Sequence, residues 1–194
     1  MSRLTSVRPE EATGPAAEVF AKIKKAVGKV PNAYATVGTH SPEALSAALA
    51  FDAAVAAGTL GKADVEVIKL AVSEHAGCNY CVAAHTLMGK IAGLSSDEMR
   101  QVRAGEATGD AKRDALTAYV RTLVATRGTV PEAAVDAVRA AGYTDRQLIE
   151  INLAIASITF TNLVNRVNDT TLDFPAVSAI PGAMKRPTEP VPAS

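Results

Sequence analysis

The sequence predicts an all-α fold, a single-domain helical bundle of seven or eight helices, on three observations. Alanine, the strongest helix former, occurs 38 times against 13 Gly and 10 Pro. Apolar residues recur at helical spacing in one segment after another, and no stretch keeps the alternation of a half-buried strand. A chain of 194 residues is long enough to bury a hydrophobic core without covalent staples.

The elements follow in order. An N-terminal arm, residues 1–13, precedes a helix from about Pro15 to Val27, whose proline sits where a missing N–H costs nothing; Gly28 and Pro31 end it. Ser41 caps a second helix that starts at Pro42, carries Leu45, Ala48, Leu49 and Val55 at helical spacing, and closes at Gly58. Ala63 to Ala76 and Asn79 to Ala92 form a helical hairpin with Gly77 as the C-cap of its first arm. Ser95 and Glu98 form a capping box that opens a short helix to about Ala104. Asp110 to Thr126, Pro131 to Ala141 and Thr144 to about Asn168 complete the bundle, so the domain spans 14–174. The last helix is apolar on more than one face, which marks a central or interfacial position. Residues 175–194 hold five prolines and read as an extended tail unless a neighbouring subunit pins it. A weak internal echo lays Lys69-Leu70-Ala71-Val72 on Asn152-Leu153-Ala154-Ile155, as two similar helical halves would.

Composition excludes several classes of function. Twenty Lys+Arg balance twenty Asp+Glu, so no global field steers nucleic acid or an anionic membrane, and 4% aromatics without Trp offer few stacking platforms. No stretch reaches the ~18 unbroken apolar residues of a bilayer span, and the start has no apolar run with a cleavage site, so the expected compartment is the cytoplasm. Two cysteines cannot build a disulfide framework; lying in one short segment, they read as a chemical site.

That segment runs from Glu66 to His85. On a helix, Cys78, Cys81 and His85 occupy positions i, i+3 and i+7, which stacks them on one face. Side chains three apart have Cβ atoms ~5–6 Å apart, close enough for a Cys78–Cys81 disulfide with modest adjustment at the helix end. A helix N-terminus after Gly77 stabilises a thiolate. An ordinary thiol of pKa ~8.5 is ~3% ionised at pH 7, and lowering it to ~7 costs ~2 kcal/mol for a ~15-fold gain. His85, one turn beyond Cys81, is the proton acceptor in reach. Glu66 lies ~16 Å down one arm of the hairpin from Gly77 and His85 ~12 Å up the other, a mismatch of ~4 Å that a glutamate spans, so Glu66 can orient the imidazole.

Other readings stand beside this one. Cys78, Cys81, His85 and Glu66 could together hold zinc, although three ligands on one helix face make a cramped tetrahedron. Glu66 could instead pair with Lys62 or Lys69 on its own helix. Tyr80 and His75 are secondary candidates: the phenol is a hydrogen-bond donor and packing ring more than a base, and His75 suits a helix end. His40 reads as a loop residue, and Asn162 and Asn165 as pocket-lining or interhelical amides.

A Glu twelve residues before Cys-x-x-Cys, with a His four residues after it, resembles the alkylhydroperoxidase (AhpD-like), or carboxymuconolactone decarboxylase-like, family of small all-α proteins. The likeness is specific from about Leu60 to Leu94 and extends from Ser41 to Asn168. It implies a thiol-dependent peroxidase without a cofactor or metal, acting on a small hydroperoxide. It further implies a homo-oligomer, trimer or hexamer, that a protein or lipoamide-type dithiol regenerates. Carried over, Cys81 attacks the peroxide, Cys78 resolves the product into a disulfide, and Glu66 and His85 relay the proton. Some members carry His where Tyr80 stands, and decarboxylating members that open a lactone lack the cysteine pair. The alternatives are a decarboxylase-type enzyme that ignores its thiols, and a non-catalytic oligomer that uses the disulfide as a redox sensor.

Overall fold

The computed structural model describes residues 2–180, and among them every regular element is helical. A 3-10 turn at Pro9–Glu11 leads into α1 (Gly14–Val27), α2 (Asn32–His40), α3 (Pro42–Ala56), α4 (Lys62–His75), α5 (Asn79–Ile91), α6 (Ser96–Ala104), α7 (Ala111–Ala125), α8 (Glu132–Ala140) and α9 (Asp145–Asn168). The all-α expectation holds, with nine helices among the described residues where the sequence suggests seven or eight. Ser41 caps α3 and Ser95 with Glu98 forms a reciprocal capping box, as read, while Asp110 and Thr144, expected as the first helical residues, are the N-caps of α7 and α9.

The added helix is α2. Its sequence, Asn-Ala-Tyr-Ala-Thr-Val-Gly-Thr-His, is too short and too rich in β-branched residues and Gly to announce a helix by propensity. Packing forms it instead: Gly38 lies so close to Phe20 of α1 and Leu45 of α3 that an added Cβ would collide with both side chains. His40 therefore closes a helix rather than lying in a loop, and its Nε2 lies 2.8 Å from the Thr5 carbonyl oxygen.

α4 is the axis of the bundle and packs against α5, α6, α7 and α9; its Val67, Ile68, Leu70 and Ala71 are fully buried. A second, smaller core joins α1 to α3 through Val19, Phe20, Ile23 and Leu45. α9 is 24 residues long with a mean hydropathy of 1.3 over its most apolar window, enough by length and composition to cross a membrane. Its inward face, Leu148, Ile151, Ala154 and Ile158, is core, and its outward face leaves Ile149, Leu163 and Val167 more than 60% exposed. α9 runs unbroken where α4 turns into α5, so the sequence echo does not correspond to two equivalent hairpins.

Both ends of the described chain fold onto the body. Arg3 and Leu4 donate backbone N–H groups to the Asn168 carbonyl and side-chain oxygens. Asp173 accepts from Lys29, and Arg103 donates to the Ser178 carbonyl at 2.9 Å, so the first residues of the expected tail are held by this same chain. The later prolines, Pro181, Pro187, Pro190 and Pro192, lie outside the described residues.

Gly38→Ala is expected to destabilise the fold by about 1–3 kcal/mol, because the methyl must displace Phe20 or Leu45. Chemical denaturation checks this; an unchanged midpoint would mean that α1, α2 and α3 are not in close contact at Gly38.

Candidate functional site

The site is built at the turn between α4 and α5. The Ala76, Gly77 and Cys78 N–H groups bond back to the carbonyls of Val72, Glu74 and Ser73. Gly77 adopts φ +63°, a left-handed conformation that L side chains rarely adopt, and it turns the chain into the next helix. Cys78 is then the N-cap of α5, its sulfur accepting from the Cys81 N–H at 3.4 Å. One helical turn inward, the Cys81 sulfur lies 2.9 Å from that of Cys78, and no disulfide joins the two thiols. Closing the pair to a disulfide shortens the gap by about 0.9 Å.

Both sulfurs are buried, Cys78 at 1% and Cys81 at 3% exposure. Cys81 also accepts a hydrogen bond from Asn165 Nδ2 at 3.3 Å. The hydrogen bond shared with Cys78 pushes the Cys81 thiol well above the ordinary range, and burial and Coulombic repulsion from Cys78 add to this; Asn165 and Thr161 act in the opposite sense. The pair thus keeps a proton on Cys81 at neutral pH, while Cys78 lies at the positive end of α5.

The antiparallel hairpin brings the other two residues together. His85 Nδ1 lies 2.8 Å from Glu66 Oε2, both side chains largely buried between α4 and α5. A carboxylate can only accept, so Nδ1 carries the proton and Nε2 is left as the basic nitrogen. Glu66 thereby pairs with His85 and not with the lysines of its own helix: Lys69 pairs with Asp52 of α3 at 2.8 Å instead. The zinc arrangement does not form either, since among the described residues no three His, Cys, Asp or Glu side chains converge as a metal site requires.

The secondary candidates separate. Tyr80 is buried beside the cysteines; its hydroxyl donates to Asp173 Oδ1 at 2.7 Å and accepts from the Ala33 N–H at 3.2 Å, while Phe174 packs edge-on against its ring. Burial first, then Asp173, push the phenol up, so Tyr80 stays neutral and acts as an anchor for the segment after α9. His75 ends α4, half-buried, and the Glu66–His85 pair forms without it.

Residues from distant parts of the chain complete the surroundings. A narrow apolar crevice lies between Tyr34 and Val37 of α2, Leu45 of α3, and Phe160 and Val164 of α9, and Thr161 and Asn165 also belong to its lining. Its space, about 220 Å³ with the open mouth included, is too tight for a molecule the size of water until a side chain moves. Tyr34 is held neutral by burial and by neighbouring Asp52, which also accepts from Ser157 at 2.8 Å. Of these surroundings only Asn165 has a sequence signal, as an amide on an apolar helix. Tyr34, Asp52 and Ser157 carry no local signal; only the fold assembles them.

Part of the chain matches a known family, and the fold matches solved structures. Residues 42–119, from α3 into α7, match the carboxymuconolactone decarboxylase family. No curated protein matches the chain. Among solved structures, an uncharacterized peroxidase-related protein from Ralstonia eutropha JMP134 with an alkylhydroperoxidase AhpD core is similar, with TM-score 0.78, 23% identity, and coverage of 89% of this chain and 92% of that one. The debrominase Bmp8, in complex with 2,3,4-tribromopyrrole, gives TM-score 0.75 and 18% identity over 89% of this chain and 92% of its own. A peroxidase-related protein from Silicibacter sp. TM1040 gives 0.70 and 18% over 88% and 94%. The chain is thus carboxymuconolactone decarboxylase-like in the segment that holds its cysteines and alkylhydroperoxidase-like in fold.

Cys78→Ala removes the largest of the causes that hold the proton on Cys81. A thiol whose pKa is raised ionises only as pH climbs through that raised value, so the variant's Cys81 is expected to become reactive at lower pH than in the wild type. Thiolate-selective labelling of the reduced protein, resolved by residue in mass spectrometry, reads the profile; an unchanged profile would mean that Cys78 does not control Cys81.

Proposed function

We propose that the protein is a thiol-dependent peroxidase that reduces a small hydroperoxide through Cys78 and Cys81. The observation that carries this reading is the 2.9 Å approach of two reduced sulfurs at the start of α5, one turn from an imidazole held by a buried carboxylate. The solved peroxidase-related proteins of the same fold support it.

The reaction begins with the imidazole of His85 taking the proton from the sulfur pair, its charge balanced by Glu66. The Cys81 thiolate, which Asn165 of the crevice lining contacts, attacks the terminal oxygen of the hydroperoxide. An S–O bond forms, the O–O bond breaks, and the departing alkoxide takes the proton from His85 to leave as an alcohol. Cys81 is now a sulfenic acid. Cys78 displaces its hydroxyl group, which leaves as water with the Cys78 proton, and the S–S bond closes. Two thiols and one hydroperoxide have become a disulfide, an alcohol and water. An external dithiol, protein or lipoamide type, restores both thiols by exchange, with Cys78 at the start of α5 as the sulfur it meets once a local opening exposes it, since the closed structure leaves it 1% exposed.

A cysteine pair that a dithiol must return to the reduced state after each turnover suits a reducing compartment, the cytoplasm. The outward stripe of α9, Ile149, Leu163 and Val167, and exposed Ile91 of α5 are apolar surface of the kind that subunits cover, which supports a homo-oligomer, and the family resemblance makes it a trimer or hexamer.

Serine variants test the order of events. Cys81→Ser is expected to abolish hydroperoxide turnover and leave no trappable sulfenic acid. Cys78→Ser is expected to abolish turnover but to accumulate a Cys81 sulfenic acid that a dimedone probe captures. Glu66→Gln is expected to slow turnover at least about tenfold and to shift its pH dependence. Unimpaired turnover in either serine variant would remove the mechanism. Consumption of a brominated pyrrole in place of hydroperoxide would move the reading toward the debrominase relative, and oxidation in a single round without turnover would leave a redox sensor.

A further inference from the structure

We propose that Asn165 is the substrate-positioning residue of this site, its amide carbonyl accepting the O–H of an organic hydroperoxide whose small apolar group lies in the crevice between α2, α3 and α9. The inference rests on the peroxidase reading and specifies what that site selects.

Asn165 is 2% exposed, and its two amide atoms have different fates. Nδ2 donates to the Cys81 sulfur at 3.3 Å. Oδ1 is buried and has no hydrogen-bond partner among the described residues, although buried carbonyls are nearly always satisfied. The same residue lines the crevice, so the missing donor is expected from the ligand that occupies it. Asn162, three residues earlier on α9, is also 2% exposed with both amide atoms unpartnered. Two such amides, on a helix that is otherwise largely apolar, are a cost to folding that a bound polar group would offset.

A hydroperoxide has one donor, the O–H on its terminal oxygen, and this is the oxygen that the sulfur attacks. When that O–H bonds to Oδ1 while Nδ2 holds the sulfur, one carboxamide fixes both reacting atoms. The rest of the crevice, Val37, Leu45, Phe160 and Val164, offers only apolar contact, which suits a compact hydrocarbon group. Phe160 is 37% exposed, so its ring can swing toward solvent and open the crevice without breaking the core. Dialkyl peroxides have no O–H and gain nothing from Oδ1, so among peroxides the selection is for those that carry a donor on the oxygen under attack.

The test compares two oxidants of Cys81 on the reduced full-length protein: tert-butyl hydroperoxide, and methyl methanethiosulfonate, which attacks thiolates but has no hydrogen-bond donor. Limiting rate constants are taken from the high-pH plateau, so that a change in Cys81 acidity cancels. Asn165→Leu is expected to lower the hydroperoxide constant about 10- to 100-fold and to leave the thiosulfonate constant within about threefold. Asn165→Ala, a smaller change, is read in the same ratio in case leucine disturbs the fold. Equal losses with both reagents, or no loss with either, would overturn the assignment. A wild-type protein that reacts with the thiosulfonate but not with the hydroperoxide would instead overturn the peroxidase reading on which it stands.

Discussion

The register of the α4–α5 hairpin is the constraint on which the rest of the structure depends. Gly77 and the three backbone bonds around it fix where α5 begins, and that single choice makes Cys78 the N-cap, places Cys81 beside it, and lays His85 against Glu66. A slip of one residue would rotate every side chain on α5 by about 100°, parting His85 from Glu66 and Cys81 from Asn165. The buried apolar face of α4, fully enclosed by α5, α7 and α9, is what makes such a slip expensive. Packing energy far from the sulfurs therefore holds the chemistry in place.

Burial gives the pair its character. A thiol enclosed at 3% exposure and bonded to another thiol resists ionisation, which holds Cys81 in its protonated form. His85 is kept in the right tautomer by Glu66, and Asn165 and Thr161 make the sulfur anion easier to form. Opposing effects of this kind set a reactivity that depends on an intact set of neighbours, and they place the neighbours on three different helices.

Much of this was legible in the sequence. The hairpin could be read because its signals are local: a Gly between two helical patterns, two cysteines three apart, and a rise of about 1.5 Å per residue that matches Glu66 to His85. Capped helices such as α3 and α6 were equally plain, since Ser41 and Ser95 announce them within four residues. α2 was not, because its stability comes from Gly38 fitting between Phe20 and Leu45 rather than from its own propensities. Nor were the partners of Lys69 and Tyr80: Asp52 is 17 residues from the first, and Asp173 is 93 from the second. Asn165 lies 84 residues from the sulfur it touches, and its half-satisfied amide exists only once α9 has packed.

The sulfur pair is most directly tested by intact mass and product analysis after one equivalent of tert-butyl hydroperoxide is added to the reduced protein. The expected result is loss of two hydrogens from each chain, a Cys78–Cys81 linkage on peptide mapping, and one equivalent of tert-butanol. Alcohol formation with both thiols intact, or a protein left unoxidised with the hydroperoxide unconsumed, would contradict it.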